Sequence, residues 1–243
     1  MSHSIPIQSL PGTPLADRTV GELVAERPGR SRIFQRFEID FCCQGGRTLH
    51  EACTRKGVNV DTLIEQLEAE LAAPAPSGFN PAELAPAQLA DYIVARHHAF
   101  LWRELPRLHA MARRVAQVHG GHTPSLIEVE QVFDGLQEEL AAHMMKEEQV
   151  LFPAIRSISG GDGVPGQFDG PIACMVDEHE TAGQALARLR ELTNGFQPPP
   201  DACNTYRALF AGLHELEEDL HQHIHLENSV LFPAAIRLLE GVA

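Results

Sequence analysis

No apolar run in this chain approaches the ~18 residues needed to cross a bilayer, and Met1 to Leu15 lack a basic segment followed by an apolar one. Neither a membrane span nor a secretory signal is expected. Basic residues are scarce: 19 Lys and Arg against 33 Asp and Glu leave a net charge of −14. Nucleic acid and anionic membrane surfaces are therefore unfavourable partners, because their phosphates would be repelled. The acid is unevenly placed, with 8 basic against 10 acidic residues over 1–72 and 11 against 23 over 73–243. Cysteine is sparse and odd in number. Cys42, Cys43, Cys53, Cys174 and Cys203 are scattered apart from one adjacent pair, which is not a disulfide framework, and a reducing cytoplasm is the expected compartment. Strand-like alternation is missing throughout, so the expected class is all-α.

Punctuation divides the chain. Residues 1–16 are polar, contain proline and read as a flexible N-terminus. Residues 17–72 read as a small domain of short helices: Thr19 with Glu22 has the spacing of a capping box, Phe41-Cys42-Cys43-Gln44-Gly45-Gly46 is a turn, and Gly57 is a helix stop. Residues 73–81, rich in Pro and Ala, read as a linker. The remainder, 82–243, reads as four long helices near 83–118, 125–158, 171–194 and 202–239, joined by segments rich in Gly and Pro. A small helical domain followed by an antiparallel four-helix bundle is the expected architecture.

The chemistry lies in a repeat. His143-Met-Met-Lys-Glu147-Glu-Gln-Val-Leu-Phe-Pro153 recurs 80 residues later as His223-Ile-His-Leu-Glu227-Asn-Ser-Val-Leu-Phe-Pro233. Positions i and i+4 of a helix share one face, about 6 Å apart along the axis. The inward stripe of the second helix reads Phe133, Leu136, Leu140, His143, Glu147, Val150. That of the fourth reads Leu213, Leu216, Leu220, His223, Glu227, Val230. Histidine and glutamate thus occupy positions where a bundle core calls for leucine. The first and third helices place His98 and His179 in equivalent core positions, in the stripes Val94, His98, Leu101, Leu105, Leu108 and Met175, His179, Ala182, Leu186, Leu189. The bundle reads as a duplicated helical hairpin, each copy carrying one histidine and then His-x-x-x-Glu. By the same register His225 faces outward, His97 lies on the bundle flank and Lys146 points away from the stripe.

Two glutamates buried together repel one another and are unfavourable without a countercharge. Paired cations supply it. Six nitrogen and oxygen donors without thiolate argue against a structural cysteine-type zinc site and suit iron ahead of manganese or zinc. If both glutamates bridge, two histidines per metal give four protein donors each. A water-derived oxo or hydroxo bridge makes five, and each iron keeps an open position for O₂, NO or peroxide. Cys42 and Cys43 precede a helix start near Arg47-Thr48, a setting that lowers thiol pKa and favours a reactive thiolate; the alternative is two ordinary loop cysteines. Cys174 and Cys203, near helix starts, read as packing residues.

With these residues in view, the chain resembles the iron–sulfur cluster repair di-iron proteins from about Asp17 to the C-terminus. The markers are Asp40-Phe-Cys-Cys-Gln-Gly-Gly46-Arg-Thr-Leu, His97-His98 with Glu104-Leu-Pro106, His143-Met-Met-Lys-Glu147-Glu-Gln, Asp177-Glu-His179-Glu, Pro198-Pro-Pro-Asp-Ala-Cys203 and His223-Ile-His-Leu-Glu227-Asn. The resemblance implies a hemerythrin-like bundle holding two iron ions in an oxo- or hydroxo-bridged centre, fused to a small cysteine-bearing domain. It implies repair of damaged iron–sulfur proteins under nitrosative and oxidative stress, by iron donation or NO chemistry. The implied ligands are His98, His143, Glu147, His179, His223 and Glu227, with Cys42 and Cys43 as redox or transfer thiols. Oxygen-carrying hemerythrins have a further histidine where this chain has Gly183, which disfavours reversible O₂ carriage. Gln44 departs from the Cys-Cys-Gly-Gly form. Two other readings stay open: a cytoplasmic NO-binding sink, and a di-iron reductase of NO or peroxide. A homodimer also stays open.

Overall fold

The computed structural model describes residues 13–72, 79–161, 169–239 and Gly241. Most of the expected flexible N-terminus and of the 73–81 linker lies outside the described residues, as does much of the connection that follows Ser159. Two compact units emerge from the contacts. One comprises Met1–Ala90, Ile155–Asp169 and Gln222–Ala243; the other comprises Asp91–Ala154 and Gly170–His221.

The first unit carries α1 (Val20–Glu26), α2 (Ser31–Arg36), α3 (Leu49–Lys56) and α4 (Val60–Ala72). Both α1 and α3 begin with capping boxes. The Thr19 hydroxyl accepts from the Glu22 N–H while the Glu22 carboxylate accepts from the Thr19 N–H, and Thr48 and Glu51 repeat the arrangement. Each box satisfies two backbone donors that a free helix start leaves orphaned. Gly57 ends α3 in the left-handed conformation at φ 68°, where a side chain would be strained. Val20, Leu23, Phe34, Phe41, Leu49, Leu63 and Leu67 form the core of this unit, together with Ile224. Among the described residues the only extended pairing is an isolated antiparallel bridge between Thr19 and Thr48.

The turn after α2 is tightly drawn. Gly21 N–H donates to the Gly45 carbonyl at 2.8 Å and Val20 N–H to the Arg47 carbonyl at 2.9 Å. A Cβ on Gly45 would lie 2.5 Å from the Phe41 carbonyl oxygen, so glycine is required by backbone approach.

The long helices follow. A first runs through α5 (Pro86–Ile93), a π-turn at Val94–His98 and α6 (Ala99–His119). A second runs through α7 (Ser125–Lys146), a π-turn at Glu147–Leu151 and α8 (Phe152–Ser159). The third is α9 (Asp169–Leu192). The last runs through α10 (Asn204–Leu226), a π-turn at Glu227–Leu231 and α11 (Phe232–Leu239). In the second unit α6, α7, α9 and α10 interleave one apolar core. Leu101, Leu105 and Leu108 meet Phe133, Leu136 and Leu140, with Leu186, Leu189, Leu213, Leu216 and Leu220 completing it. These are the leucines of the expected stripes, and the all-α four-helix bundle stands.

The π-turns correct the register next to the candidate histidines and glutamates. Val150 was expected in the core but is 60 % exposed, and Leu151 is buried instead. Leu231 is buried where Val230 was expected, and Ile93 where Val94 was. A π-turn closes i→i+5 hydrogen bonds, adding one residue to the turn and moving the inward position by one.

Replacing Gly45 with Ala should destabilise the protein by about 1–3 kcal/mol, the range of overpacking substitutions. Gly121→Ala, where a Cβ meets nothing within 4 Å, should change stability by less than about 0.5 kcal/mol. Thermal unfolding of both variants checks the contrast; equal midpoints would mean the Phe41–Gly45 approach is relaxed in solution.

Candidate metal centre

The three π-turns fall on ligand candidates. His98 ends the first, Glu147 opens the second and Glu227 opens the third. All six residues singled out by register are buried, between 0 % and 4 % exposed.

Two overlapping groups emerge. His98, Glu147, His223 and Glu227 form one, and His143, Glu147, His179 and Glu227 the other; in each, one ligand atom per residue lies within 4.8 Å of all the rest. Both groups contain two histidines and share the same two glutamates. Imidazole and carboxylate donors gathered in this way suit a cation.

The pairwise geometry is consistent with donors facing a common centre. His98 Nε2 lies 3.3 Å and His143 Nε2 3.4 Å from Glu147 Oε2. His223 Nε2 lies 3.1 Å from Glu227 Oε1. His179 Nε2 stands 3.0 Å from His143 Nε2. Two imidazole nitrogens each ~2.1 Å from one cation and at right angles stand about 3.0 Å apart. Glu147 provides the sharper test of fit. Both of its carboxylate oxygens are buried and accept no hydrogen bond. Such a carboxylate needs either a proton or a cation, and the surrounding donors are imidazole and carboxylate. These buried clusters fit a metal site.

Two further carboxylates orient the imidazoles. His98 Nδ1 lies 2.8 Å from Glu148 Oε1, which also accepts from Trp102 Nε1. His143 Nδ1 lies 2.8 Å from Glu178 Oε2. A carboxylate accepts, so each Nδ1 carries the proton and each Nε2 presents its lone pair to a cation. Burial raises the Glu178 carboxyl, but hydrogen bonds and charge from Lys146 and His143 outweigh it and hold the group below its ordinary value. Lys146 points outward, as its register required, and pairs with Glu178.

Several neighbours depart from expectation. His225 was expected to face outward; it is buried, its ring 5.7 Å from that of Phe41. Burial pushes its imidazole down to about 4, against a hydrogen bond with the Phe41 backbone that acts the other way. His97, expected on the flank, is buried with Nδ1 3.1 Å from Asp219 Oδ2, because the widened turn at 94–98 directs consecutive residues inward. Cys174 and Cys203 are exposed rather than packed, and Cys203 Sγ lies 3.3 Å from His119 Nε2. The depressed thiol pKa expected for the cysteine pair is overturned at Cys42. The Cys43 thiol, burial and the Asp40 carboxylate together push it well above its ordinary range.

Comparison with known proteins agrees with this geometry. A family described as hemerythrin HHE cation binding domain matches residues 89–235, and a domain of unknown function (DUF542) matches residues 16–71. The chain is similar to the iron-sulfur cluster repair protein YtfE of Pectobacterium atrosepticum, 40% identical over 91% of this chain and 97% of the relative. It is likewise similar to the proteins of that name from Escherichia coli and Escherichia fergusonii, each 38% identical over 90% of this chain and 97% of the relative.

Glu147→Gln removes the charge while keeping the shape. In metal-free protein the variant should be as stable as the parent or up to about 2 kcal/mol more stable, because an uncompensated buried charge is lost. Added metal should raise the unfolding midpoint of the parent and not of the variant. A variant less stable without metal would mean that the carboxylate serves a purely internal polar cluster.

Proposed function

Since this chain belongs to the hemerythrin-like iron–sulfur cluster repair family, we propose that it restores damaged iron–sulfur clusters, using a pair of iron ions as the centre and as cargo. The residues that would hold them are His98 and His223 on one side and His143 and His179 on the other, with Glu147 and Glu227 shared. The observation that carries this reading is the sharing itself: the two histidine pairs meet the same two buried carboxylates. When bound, a di-iron centre supplies redox capacity, open positions for small ligands such as NO, and iron that can be surrendered.

The protein's own residues set how firmly such ions are held. Glu148 and Glu178 keep two imidazoles in the donating tautomer, and their side chains are partly exposed, at 36 % and 32 %. They therefore stand between the buried donors and water. Neutralising one loosens an imidazole without deleting a ligand. The donor set of imidazole and carboxylate suits iron without any thiolate. Small client-derived ligands and the damaged cluster itself are the partners this reading requires; the expected compartment is the cytoplasm, where such clusters reside.

Glu147→Leu or Glu227→Leu should abolish binding of two irons per chain while leaving helical content unchanged, by metal analysis and circular dichroism. Mixing iron-loaded protein with an iron–sulfur enzyme inactivated by NO should recover activity in proportion to iron lost from the donor, and neither variant should do so. Tight stoichiometric nitrosylation without recovery would replace repair by NO capture. Many turnovers of NO with an electron donor would make it a reductase.

A further inference from the structure

Outside the buried histidine and glutamate clusters, the turn between α2 and α3 gathers a second set of ligating side chains. Asp40, Cys42 and Cys43 each offer one ligand atom, and these atoms lie within 4.8 Å of one another. Neither thiol is tied up in a disulfide. Cys42 Sγ stands 3.7 Å from Cys43 Sγ and 3.2 Å from Asp40 Oδ1. Two thiolates each ~2.3 Å from a tetrahedrally held cation stand about 3.8 Å apart, so the sulfur separation is that of two ligands on one ion. We propose that Asp40, Cys42 and Cys43 form a metal site of their own, taking one thiophilic divalent cation, zinc(II) or iron(II).

The backbone builds this arrangement before any ion arrives. Consecutive side chains of extended chain point to opposite faces. Here Asp40 Oδ1 accepts the N–H groups of both Cys42, at 3.0 Å, and Cys43, at 2.9 Å, curling the chain so that the two sulfurs come together. The turn is held from outside as well. Asn228 Nδ2 donates to the Cys42 carbonyl at 3.2 Å, and the Gly21–Gly45 hydrogen bond ties the far end. Cys42 is buried, Cys43 half-buried and Asp40 exposed, so a cation can enter from the Asp40 side without unfolding the turn.

The donor set selects the ion. Two thiolates favour a soft or borderline cation over magnesium or calcium, whereas the buried centre offers imidazole and carboxylate alone. Binding is an exchange: one divalent cation replaces the two thiol protons, two sulfur–metal bonds form, and two protons pass to solvent. No electron moves. Cys42 holds its proton firmly until the cation displaces it, so affinity falls as pH falls.

Cobalt(II) is the probe. It is added without air to reduced full-length protein whose buried centre has been loaded with iron and assayed. One equivalent should produce a thiolate-to-cobalt charge-transfer band and the visible bands of tetrahedral cobalt, with two protons released. Cys42→Ser and Cys43→Ser should each weaken binding at least about tenfold and remove most of the charge-transfer intensity, while Cys203→Ser should leave both unchanged. Asp40→Asn keeps an oxygen for the two N–H groups, so the turn persists, and should weaken binding without abolishing the band. Competition with zinc(II) and iron(II) then orders the two cations. Absence of the band at stoichiometric cobalt, or an undiminished band in both serine variants with circular dichroism unchanged, overturns the site. Because the iron content of the buried centre is measured in the same samples, that failure leaves the reading of that centre untouched.

Discussion

A carboxylate buried with both oxygens unserved by any hydrogen-bond donor is the constraint around which this protein is arranged. Glu147 is in that condition, within 3.5 Å of imidazole nitrogens from His98 and His143. In an apolar interior the ionised form is unfavourable by several kcal/mol unless opposite charge is close. Proton transfer from a neighbouring histidine would compensate one carboxylate. It would also turn a neighbouring imidazole into a cation and leave the imidazole pair at 3.0 Å facing one another. A cation at these buried clusters of imidazole and carboxylate would neutralise the carboxylates while leaving the imidazoles uncharged, which is why they fit a metal site. The Leu-rich layers on α6, α7, α9 and α10 form the surrounding scaffold.

The helices do not deliver these groups as ideal α-helices. Three of the long helices open into a π-turn at a ligand candidate: at Val94–His98, Glu147–Leu151 and Glu227–Leu231. An added residue per turn re-aims the side chains next to it, and the irregularity is sustained only where something else over-determines it. The reward is local. Glu147 turns both oxygens inward, and His97 and His98 both turn from solvent, one to Asp219 and one to the ligand cluster. The helix α9, which supplies His179 alone, runs from Asp169 to Leu192 without such a turn.

Those turns explain how far the sequence could be read. The six ligand candidates were legible because duplication and heptad-like spacing independently selected the same positions, and α-helical register holds well enough over the leucines that precede them. It failed one step beyond. Val150 and Val94 lost their core places to Leu151 and Ile93, since no composition or spacing signals a π-turn. His225 was misjudged for another reason: its register faces away from the stripe, yet Phe41, 184 positions earlier in the chain, covers that face. A periodicity argument sees one helix at a time. The Cys42 thiol was misjudged by counting the helix dipole and Arg47 while leaving out the Cys43 thiol, its own burial and the Asp40 carboxylate, which surround it only when the turn closes. Capping boxes, being contiguous in sequence, were visible in advance; contacts closed by folding were not.

The residue that follows each of the two glutamate candidates shows how the two halves have been put to different uses. After Glu147 stands Glu148, and its carboxylate holds His98 Nδ1 at 2.8 Å. After Glu227 stands Asn228, and its amide donates instead to the Cys42 carbonyl. The position, backbone geometry and neighbouring π-turn are equivalent, so the divergence comes from one functional group. A carboxylate can accept an imidazole proton and fix a tautomer; an amide Nδ2 can donate to a carbonyl and anchor a loop. The same register that places one half's acid against His98 lets the other half's amide hold the cysteine turn one residue away from Glu227. Ser229 reinforces the anchor, since its hydroxyl occupies the space a Cβ on Gly21 would need, 2.5 Å away. Asn228 and Ser229 thus join the Cys42 turn and Gly21 to the π-turn that opens at Glu227.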